Sequence, residues 1–333
     1  PKVEKTYGIG LPRDHASQLF KDADYPVFAL KPGQEAYRDI DGARMKNDVI
    51  ALSKIALKHR DNINKQMWGR FPGTAAEREG MQYMTDEFKR LGLSVKNYPY
   101  TLPTDWRPES WRMSYASSGG ATIELATAFP ISGTPGTAAQ GLTVEAVWVG
   151  IGAEADFIGR DVKGKAVVIY SMFVPGGRSH SASDRAGLFN SNARAVQLGA
   201  AMVINVMGVP GNGQFQPEGG LPQIPQFTLS MDEGFALRDR LDKGEKVEVS
   251  FRLEVPELRN VATEYTIATL PGTSDEQIVV MTHTDGYFQA AMDNAAGMAS
   301  ALEIARFYAQ KPLQERSRTM KFIQFSEAFP NFS

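Results

Sequence analysis

The sequence has 333 residues, 42% hydrophobic and 22% charged, which is typical of a globular protein large enough for two domains. Its 36 basic and 38 acidic residues give a formal charge of −2, so it lacks the basic excess of proteins that bind nucleic acids or anionic membranes. No apolar run approaches the roughly 18 residues that span a bilayer. There is no cysteine, so a metal site would have to use His, Asp or Glu.

The N-terminal third of the chain predicts an arm followed by the start of an α/β layer. Residues 1–42 are punctuated by Pro and Gly and are interpreted as an extended arm. Apolar periodicity and stop signals then predict helices over 43–60 and 75–91, a turn at 70–74 and a strand over 93–100. His59 falls in the last turn of the first helix and is interpreted as a helix-end charge, not as a metal ligand.

The middle of the chain, residues 116–255, is predicted to be an inserted, mostly β domain. Gly, Pro and Ser clusters separate short strand-like runs at 144–149, 166–170 and 247–251, and a helix is predicted over 191–198. Residues 206–225 are rich in Gly and Pro and predict an exposed loop over a groove. A polar loop holds His180, Asp184 and Arg185, but catalytic triads are usually assembled from separate loops, so this grouping does not indicate one.

After residue 256 the α/β pattern returns. Strands are predicted over 261–270, 277–282 and 319–325, with a helix over 294–310 between the last two. The order strand, helix, strand predicts a parallel βαβ unit with a right-handed crossover. We therefore predict an α/β fold in which residues 43–115 and 256–333 form a mixed sheet with flanking helices, interrupted by the insert.

The chemistry of the chain is concentrated where the second of these strands ends. The run 278–281 is apolar and leads directly to His283 and Asp285, and Asp293 opens the next helical pattern. A histidine there can ligate a metal through one ring nitrogen, while a carboxylate two residues away on the same side of the extended chain fixes its orientation. Asp293 would then be an oxygen ligand. The alternative is that His283 donates to a backbone carbonyl and Asp293 is an N-cap.

Flanking motifs favour the metal-site interpretation, because together they resemble the di-zinc aminopeptidase family that also contains glutamate carboxypeptidase and the transferrin receptor. The motifs are Ile-Ala-Thr-Leu-Pro-Gly at 267–272, His-Thr-Asp at 283–285, Asp-Asn-Ala-Ala-Gly at 293–297 and Leu-Glu-Ile-Ala-Arg at 302–306. Upstream, Arg-Phe-Pro-Gly-Thr at 70–74 and the residues 88–93 resemble the family's opening helices. In the middle, 156–157, 161–165, 195–200 and 224–225 resemble a protease-associated domain.

The resemblance implies a function and a set of site residues. His283 would ligate one of two zinc ions, Asp293 would bridge both, and Asp285 would support His283 as a catalytic residue. Such a pair of metal ions polarises a scissile carbonyl and activates water, while a glutamate carries the proton to the leaving amine. The implied substrate is a peptide or a small amide. The resemblance also favours a secreted or periplasmic protein, although the N-terminus has no signal-peptide hydrophobic region.

The sequence departs from the family at its C-terminal end. The family's third strand runs into two consecutive acids, the general base and a zinc ligand, but here Phe325 is followed by Ser326, Glu327 and Ala328. Glu327 fits the catalytic base position only if the alignment shifts by one residue, and Ala328 then replaces the ligand. Because a catalytic zinc usually has three protein ligands, we expect a truncated or frame-altered member with little peptidase activity. The alternative is a non-catalytic binding protein on the same scaffold.

Overall fold

A computed structural model describes residues 30–117, 119–171, 191–215 and 221–326, and the fold is given for these residues. Outside them lie most of the predicted arm, the polar loop with His180, Asp184 and Arg185, part of the loop predicted over 206–225, and Glu327. The α-helices are α1 Gly42–Asn62, α2 Ala75–Arg90, α3 Glu154–Phe157, α4 Ser191–Gln197, α5 Met231–Asp242 and α6 Gly297–Ala309. Among the helices of the described ranges, none combines the length and apolarity needed to cross a bilayer.

The strands of the described residues vary in length from two residues to thirteen. They are β1 Gly69–Arg70, β2 Ser94–Asp105, β3 Ser110–Ser117, β4 Ile123–Glu124, β5 Phe129–Pro130, β6 Leu142–Trp148, β7 Ala166–Ser171, β8 Met202–Met207, β9 Gln226–Leu229, β10 Val247–Glu254, β11 Leu258–Leu270, β12 Gln277–His283, β13 Gly286–Tyr287 and β14 Thr319–Phe325. They form a sheet of four strands, a sheet of eight, and a two-stranded ribbon.

The four-stranded sheet has the order β12-β14-β11-β2. Strands β12 and β14 are parallel neighbours, with His283 opposite Phe325, and α6 connects them. The predicted parallel strand-helix-strand unit is therefore confirmed. Strand β11 runs antiparallel to both of its neighbours, so the sheet is mixed, as predicted.

Helices α1, α2 and α6 pack against this sheet and form one continuous apolar core with it. Their apolar residues recur at helical spacing, so each helix presents a stripe that can be removed from water against its neighbours. The buried side chains include Leu52 of α1, Phe88 of α2, Leu302 of α6 and Phe322 of β14. The ring centroids of Phe88 and Phe322 lie 5.4 Å apart, which joins the helical layer to the sheet.

The same three helices are also joined by a buried cluster of charges. Arg306 of α6 contacts Asp48 of α1 at 2.5 Å and Glu87 of α2 at 3.0 Å. Arg44 of α1 lies 2.5 Å from Glu303 of α6. The guanidinium of Arg306 is 12% exposed and the Asp48 carboxylate 6%, so this contact is shielded from solvent screening.

The eight-stranded sheet, ordered β4-β3-β10-β6-β7-β8-β9-β5, contains the region predicted as an insert. Strands β6 to β9 are parallel neighbours, whereas β3, β4, β5 and β10 pair antiparallel. Helix α4 precedes β8, which lies parallel to β7, so the sheet contains the predicted βα unit. The predicted boundary at residue 116 falls inside β3, whose pairing with β10 begins at Ser110.

A two-stranded ribbon and a group of aromatic rings connect the two sheets. Strand β1 pairs antiparallel with β13, so that Arg70 lies opposite Gly286. The rings in edge-to-face contact at this junction are Trp68, Phe71, Trp111, Phe129, Tyr287 and Phe288. The loop that follows β12 is therefore held against the core of the eight-stranded sheet.

Candidate metal centre

The three predicted site residues follow the carboxyl end of β12. His283 is the last residue of that strand, Asp285 precedes β13, and Asp293 lies in the segment that leads into α6. In α/β sheets the carboxyl ends of parallel strands are the usual location of ligand sites, because loops converge there without blocking the sheet. Strands β12 and β14 are such a parallel pair.

The side chains of these residues are brought together around the imidazole of His283. Its Nδ1 lies 3.2 Å from Oδ1 of Asp285, and its Nε2 lies 3.0 Å from Oδ1 of Asp293. The Asp285 side chain is completely buried, whereas that of Asp293 is 49% exposed. The buried carboxylate is thus placed to orient the ring, and the exposed one to meet a ligand from solvent.

The two carboxylates determine the charge state of the histidine. Burial alone would lower the pKa of His283, but hydrogen bonds and charges from Asp285 and Asp293 outweigh it and raise the pKa to about 9. At neutral pH the imidazolium is therefore paired with Asp293 through Nε2. Since only neutral imidazole can ligate a metal, metal binding at Nε2 would have to displace this proton.

Asp293 is not the N-cap of the following helix. Its backbone has φ −121° and ψ 91°, it belongs to a distorted turn over Ala291–Ala296, and the regular helix begins at Gly297, three residues later than predicted. The N-cap position is Ala296, and the side-chain oxygen of Asn294 accepts a hydrogen bond from Gly297 N, the first residue of the helix, at 3.2 Å. The amide nitrogen of Asn294 donates to Thr282 Oγ1 at 2.9 Å and to His283 O at 3.1 Å. The Asp293 carboxylate is left facing His283.

The donor set fits part of a zinc site. One imidazole nitrogen and one carboxylate oxygen lie 3.0 Å apart, close to the spacing of about 3.4 Å expected for two atoms bound tetrahedrally to one zinc ion. The Asp285 carboxylate supplies the orienting contact that metal-bound histidines commonly make. Within the described residues, however, no group of three or more His, Cys, Asp or Glu side chains is arranged to hold a metal ion. Glu327 lies outside those residues.

Two buried charged residues beneath this centre were not predicted. Arg70 was interpreted as part of a turn and of a motif that resembles the family's opening helices, yet its side chain is fully buried, and this desolvation lowers its pKa to about 10. Glu77 is 2% exposed and accepts a hydrogen bond from Gly73 N at 2.6 Å and another from Thr263 Oγ1. Burial is the main cause of the raised pKa of Glu77, and the charge of Asp285 adds to it. The motif at 70–74 was the sequence feature that pointed to this region, but it does not indicate that Arg70 or Glu77 is buried.

The structure corrects the interpretation of His59. This residue does not act as a charged helix end: it is 7% exposed, and its Nδ1 lies 2.9 Å from the carbonyl oxygen of Gly69. Burial lowers its pKa, so the imidazole is neutral at physiological pH. This contact joins the last turn of α1 to the first residue of β1.

The stretch that carries this geometry also matches a known protein family. Residues 266–327 match peptidase family M28. The match confirms, for this stretch, the family resemblance that the sequence motifs indicated. It includes all three residues of the candidate centre as well as strands β12 and β14. No curated protein matches the chain.

Solved structures of similar fold include two aminopeptidases and a peptidase M28 precursor. A zinc aminopeptidase from Bacillus subtilis is 22% identical with a TM-score of 0.60, over 86% of this chain and 62% of its own. An aminopeptidase from Aneurinibacillus sp. strain AM-1 is 23% identical with a TM-score of 0.55, over 87% and 64%. A peptidase M28 precursor from Shewanella amazonensis SB2B is 18% identical with a TM-score of 0.62, over 86% and 68%. These similarities confirm the predicted α/β fold, and the chain spans less than two thirds of the first two structures.

Proposed function

We propose that this chain is built on the scaffold of a zinc-dependent exopeptidase, of aminopeptidase type, that hydrolyses terminal bonds of peptides or small amides. The observation that carries the proposal is the pairing of His283 Nε2 with Asp293 Oδ1 at 3.0 Å, with a fully buried Asp285 on the other side of the ring. This pairing lies within the residues that match peptidase family M28. The zinc aminopeptidase of similar fold supports the choice of metal.

Each residue has a separate proposed role. His283 and Asp293 would hold zinc, which would supply Lewis-acid polarisation and activation of a water molecule when bound. Asp285 accepts the Nδ1 hydrogen of His283, which leaves the Nε2 lone pair directed toward Asp293 once that nitrogen is deprotonated. Glu327 is proposed as the general base, which takes a proton from the attacking water and donates it to the leaving amine.

We further propose that residues 116–255 form a protease-associated domain that shapes access to the centre. The motifs at 156–157, 161–165 and 195–200 support this assignment. The ring contacts between Phe129 and the residues Tyr287 and Phe288 support a position of this region beside the loop that follows His283. A substrate that reaches the candidate centre would pass close to this junction.

A polypeptide of these 333 residues is proposed to bind zinc weakly and to have little peptidase activity. Catalytic zinc sites usually have three protein ligands, and His283 and Asp293 are two. The second candidate function, a non-catalytic binding protein on the same scaffold, is supported by the absence, within the described residues, of any group of three or more His, Cys, Asp or Glu side chains arranged to hold a metal ion. Release of p-nitroaniline from an aminoacyl substrate in the presence of zinc tests both statements, because robust turnover would contradict the weak site and the non-catalytic role alike.

The zinc site itself is tested by calorimetric titration of the wild type and of the His283→Ala and Asp293→Ala variants. We expect each substitution to weaken zinc binding by at least about tenfold, because each removes a direct ligand. The matched control is Asp275→Ala, which removes an exposed carboxylate from the turn before β12, at the opposite end of that strand. Equal zinc affinity in the wild type and in His283→Ala would contradict the assignment.

A further inference from the structure

The buried guanidinium of Arg70 contacts both sides of the loop that separates the proposed ligands. Its Nε donates to the carbonyl oxygen of Thr284 at 2.8 Å, and Thr284 lies between His283 and Asp285. Its Nη2 donates to the carbonyl oxygen of Ala290 at 3.3 Å, three residues before Asp293. A single rigid side chain therefore connects the two ends of the loop.

The same guanidinium anchors the loop to the helical layer. Nη1 donates to the carbonyl oxygen of Leu52 in α1 at 3.2 Å and reaches that of Gln289 at 3.5 Å. Because the guanidinium is planar and its five N–H donors have fixed directions, the positions of these carbonyl oxygens relative to each other are constrained. Lysine, with a compact ammonium group on a flexible stem, cannot reproduce this set of contacts.

The backbone that Arg70 holds is not in a conformation that it would adopt by itself. Phe288 and Ala290 have φ values of 57° and 47°, in the left-handed region that non-glycine residues rarely occupy. Such conformations persist when surrounding contacts enforce them. The hydrogen bond from Arg70 to the carbonyl oxygen of Ala290 is one of these contacts.

The surrounding structure is shaped to accept this side chain. A Cβ atom added at Gly80 of α2 would lie 3.1 Å from Cδ of Arg70, so the absence of a side chain there provides the path of the arginine stem. The positive charge is also attracted by the buried carboxylate of Asp285. That attraction offsets part of the desolvation of both groups.

We propose that Arg70 is a positioning residue that fixes the loop over residues 284–293 so that Nε2 of His283 and Oδ1 of Asp293 face each other. The inference rests on the proposed function in that these atoms are the proposed zinc ligands. The prediction about the loop itself, however, holds with or without metal. The hydrogen bonds of Arg70 described above go to backbone carbonyl oxygens, so it acts through the backbone that carries the ligands.

The test compares Arg70→Lys and Arg70→Met with the wild type in the full 333-residue chain. The first readout is hydrogen exchange of the backbone amides of residues 284–296 without metal, and the second is zinc affinity by titration. We expect exchange in this segment to accelerate by at least about tenfold, and zinc binding to weaken by at least about tenfold, as for other residues that orient ligands. The control is Phe88→Ala, which removes a fully buried ring that packs α2 against Phe322 of β14.

The outcomes separate the inference from the proposed function. Exchange that accelerates in 284–296 no more than in the rest of the helical layer, or equally in Phe88→Ala, would overturn the role of Arg70. If the wild type binds no zinc, the proposed function fails, but the exchange result still decides the inference. If Arg70→Met does not fold, Gly80→Ala displaces the same side chain without removing it, and the same local acceleration is expected there.

Discussion

Arg306 joins three helices through buried carboxylates, and its replacement by methionine is expected to lower the free energy of unfolding by about 3 kcal/mol. The substitution keeps an apolar stem of similar length but removes the cation that Asp48 and Glu87 contact at 2.5 and 3.0 Å. Breaking one side of a buried ion pair typically costs about 3–5 kcal/mol, because the remaining charge stays desolvated. Glu303 retains Arg44 at 2.5 Å, which places the expected loss at the lower end of that range.

Urea denaturation followed by circular dichroism measures this loss, and Arg318→Met is the matched control. Arg318 contacts Glu276 at 2.7 Å, but their side chains are 51% and 67% exposed, so its removal should cost less than about 1 kcal/mol. Addition of Asp48→Asn to Arg306→Met should recover part of the loss, since the more buried of the two carboxylates that lost Arg306 is then neutral. A loss in Arg306→Met no larger than that in Arg318→Met would refute the argument that burial makes this cluster important.

Three further outcomes are expected. Leu302→Ala should lower the free energy of unfolding by about 3–5 kcal/mol in the same assay, because the side chain is fully buried, and a loss below about 1 kcal/mol would contradict tight packing. Burial raises the pKa of Glu303, but hydrogen bonds from the Arg44 side chain and the Asp41 backbone N–H outweigh it and hold the pKa below 4.5. The stabilisation that the ionised Glu303 gives the fold is therefore present above pH 4.5 and is lost as the pH falls further. The difference in the free energy of unfolding between the wild type and Glu303→Gln should accordingly shrink from pH 7 to pH 3. Gly286→Ala should weaken zinc binding, because the added Cβ would lie 2.5 Å from the backbone oxygen of Asp293 and would displace that residue. Gly42→Ala is the control and should leave zinc binding unchanged, because there is open space around Gly42.

Much of the four-stranded sheet could be predicted because its signals are local. Apolar periodicity located α1, α2 and α6 to within a few residues, and the order of strand, helix and strand predicted the parallel neighbours β12 and β14. His283 and Asp285 could be paired from sequence for the same reason, since residues two apart on an extended chain point the same way. The first turn before α6 could not be predicted, because hydrogen bonds from Asn294 to the end of β12 replace the helical ones there.

The sequence by itself determined which elements form and that a histidine and two aspartates follow β12. Only the tertiary structure decided how these residues are held. Arg70 is 214 residues from Thr284 and 220 from Ala290 along the chain, and Arg306 is 258 from Asp48. Apolar periodicity reports on the surroundings of a residue within its own helix or strand. A buried cation, in contrast, needs carbonyl and carboxylate oxygens as partners, and distant helices, strands and loops supply them. The motif Arg-Phe-Pro-Gly-Thr therefore predicted a turn, and the fold made its arginine the support of the candidate centre.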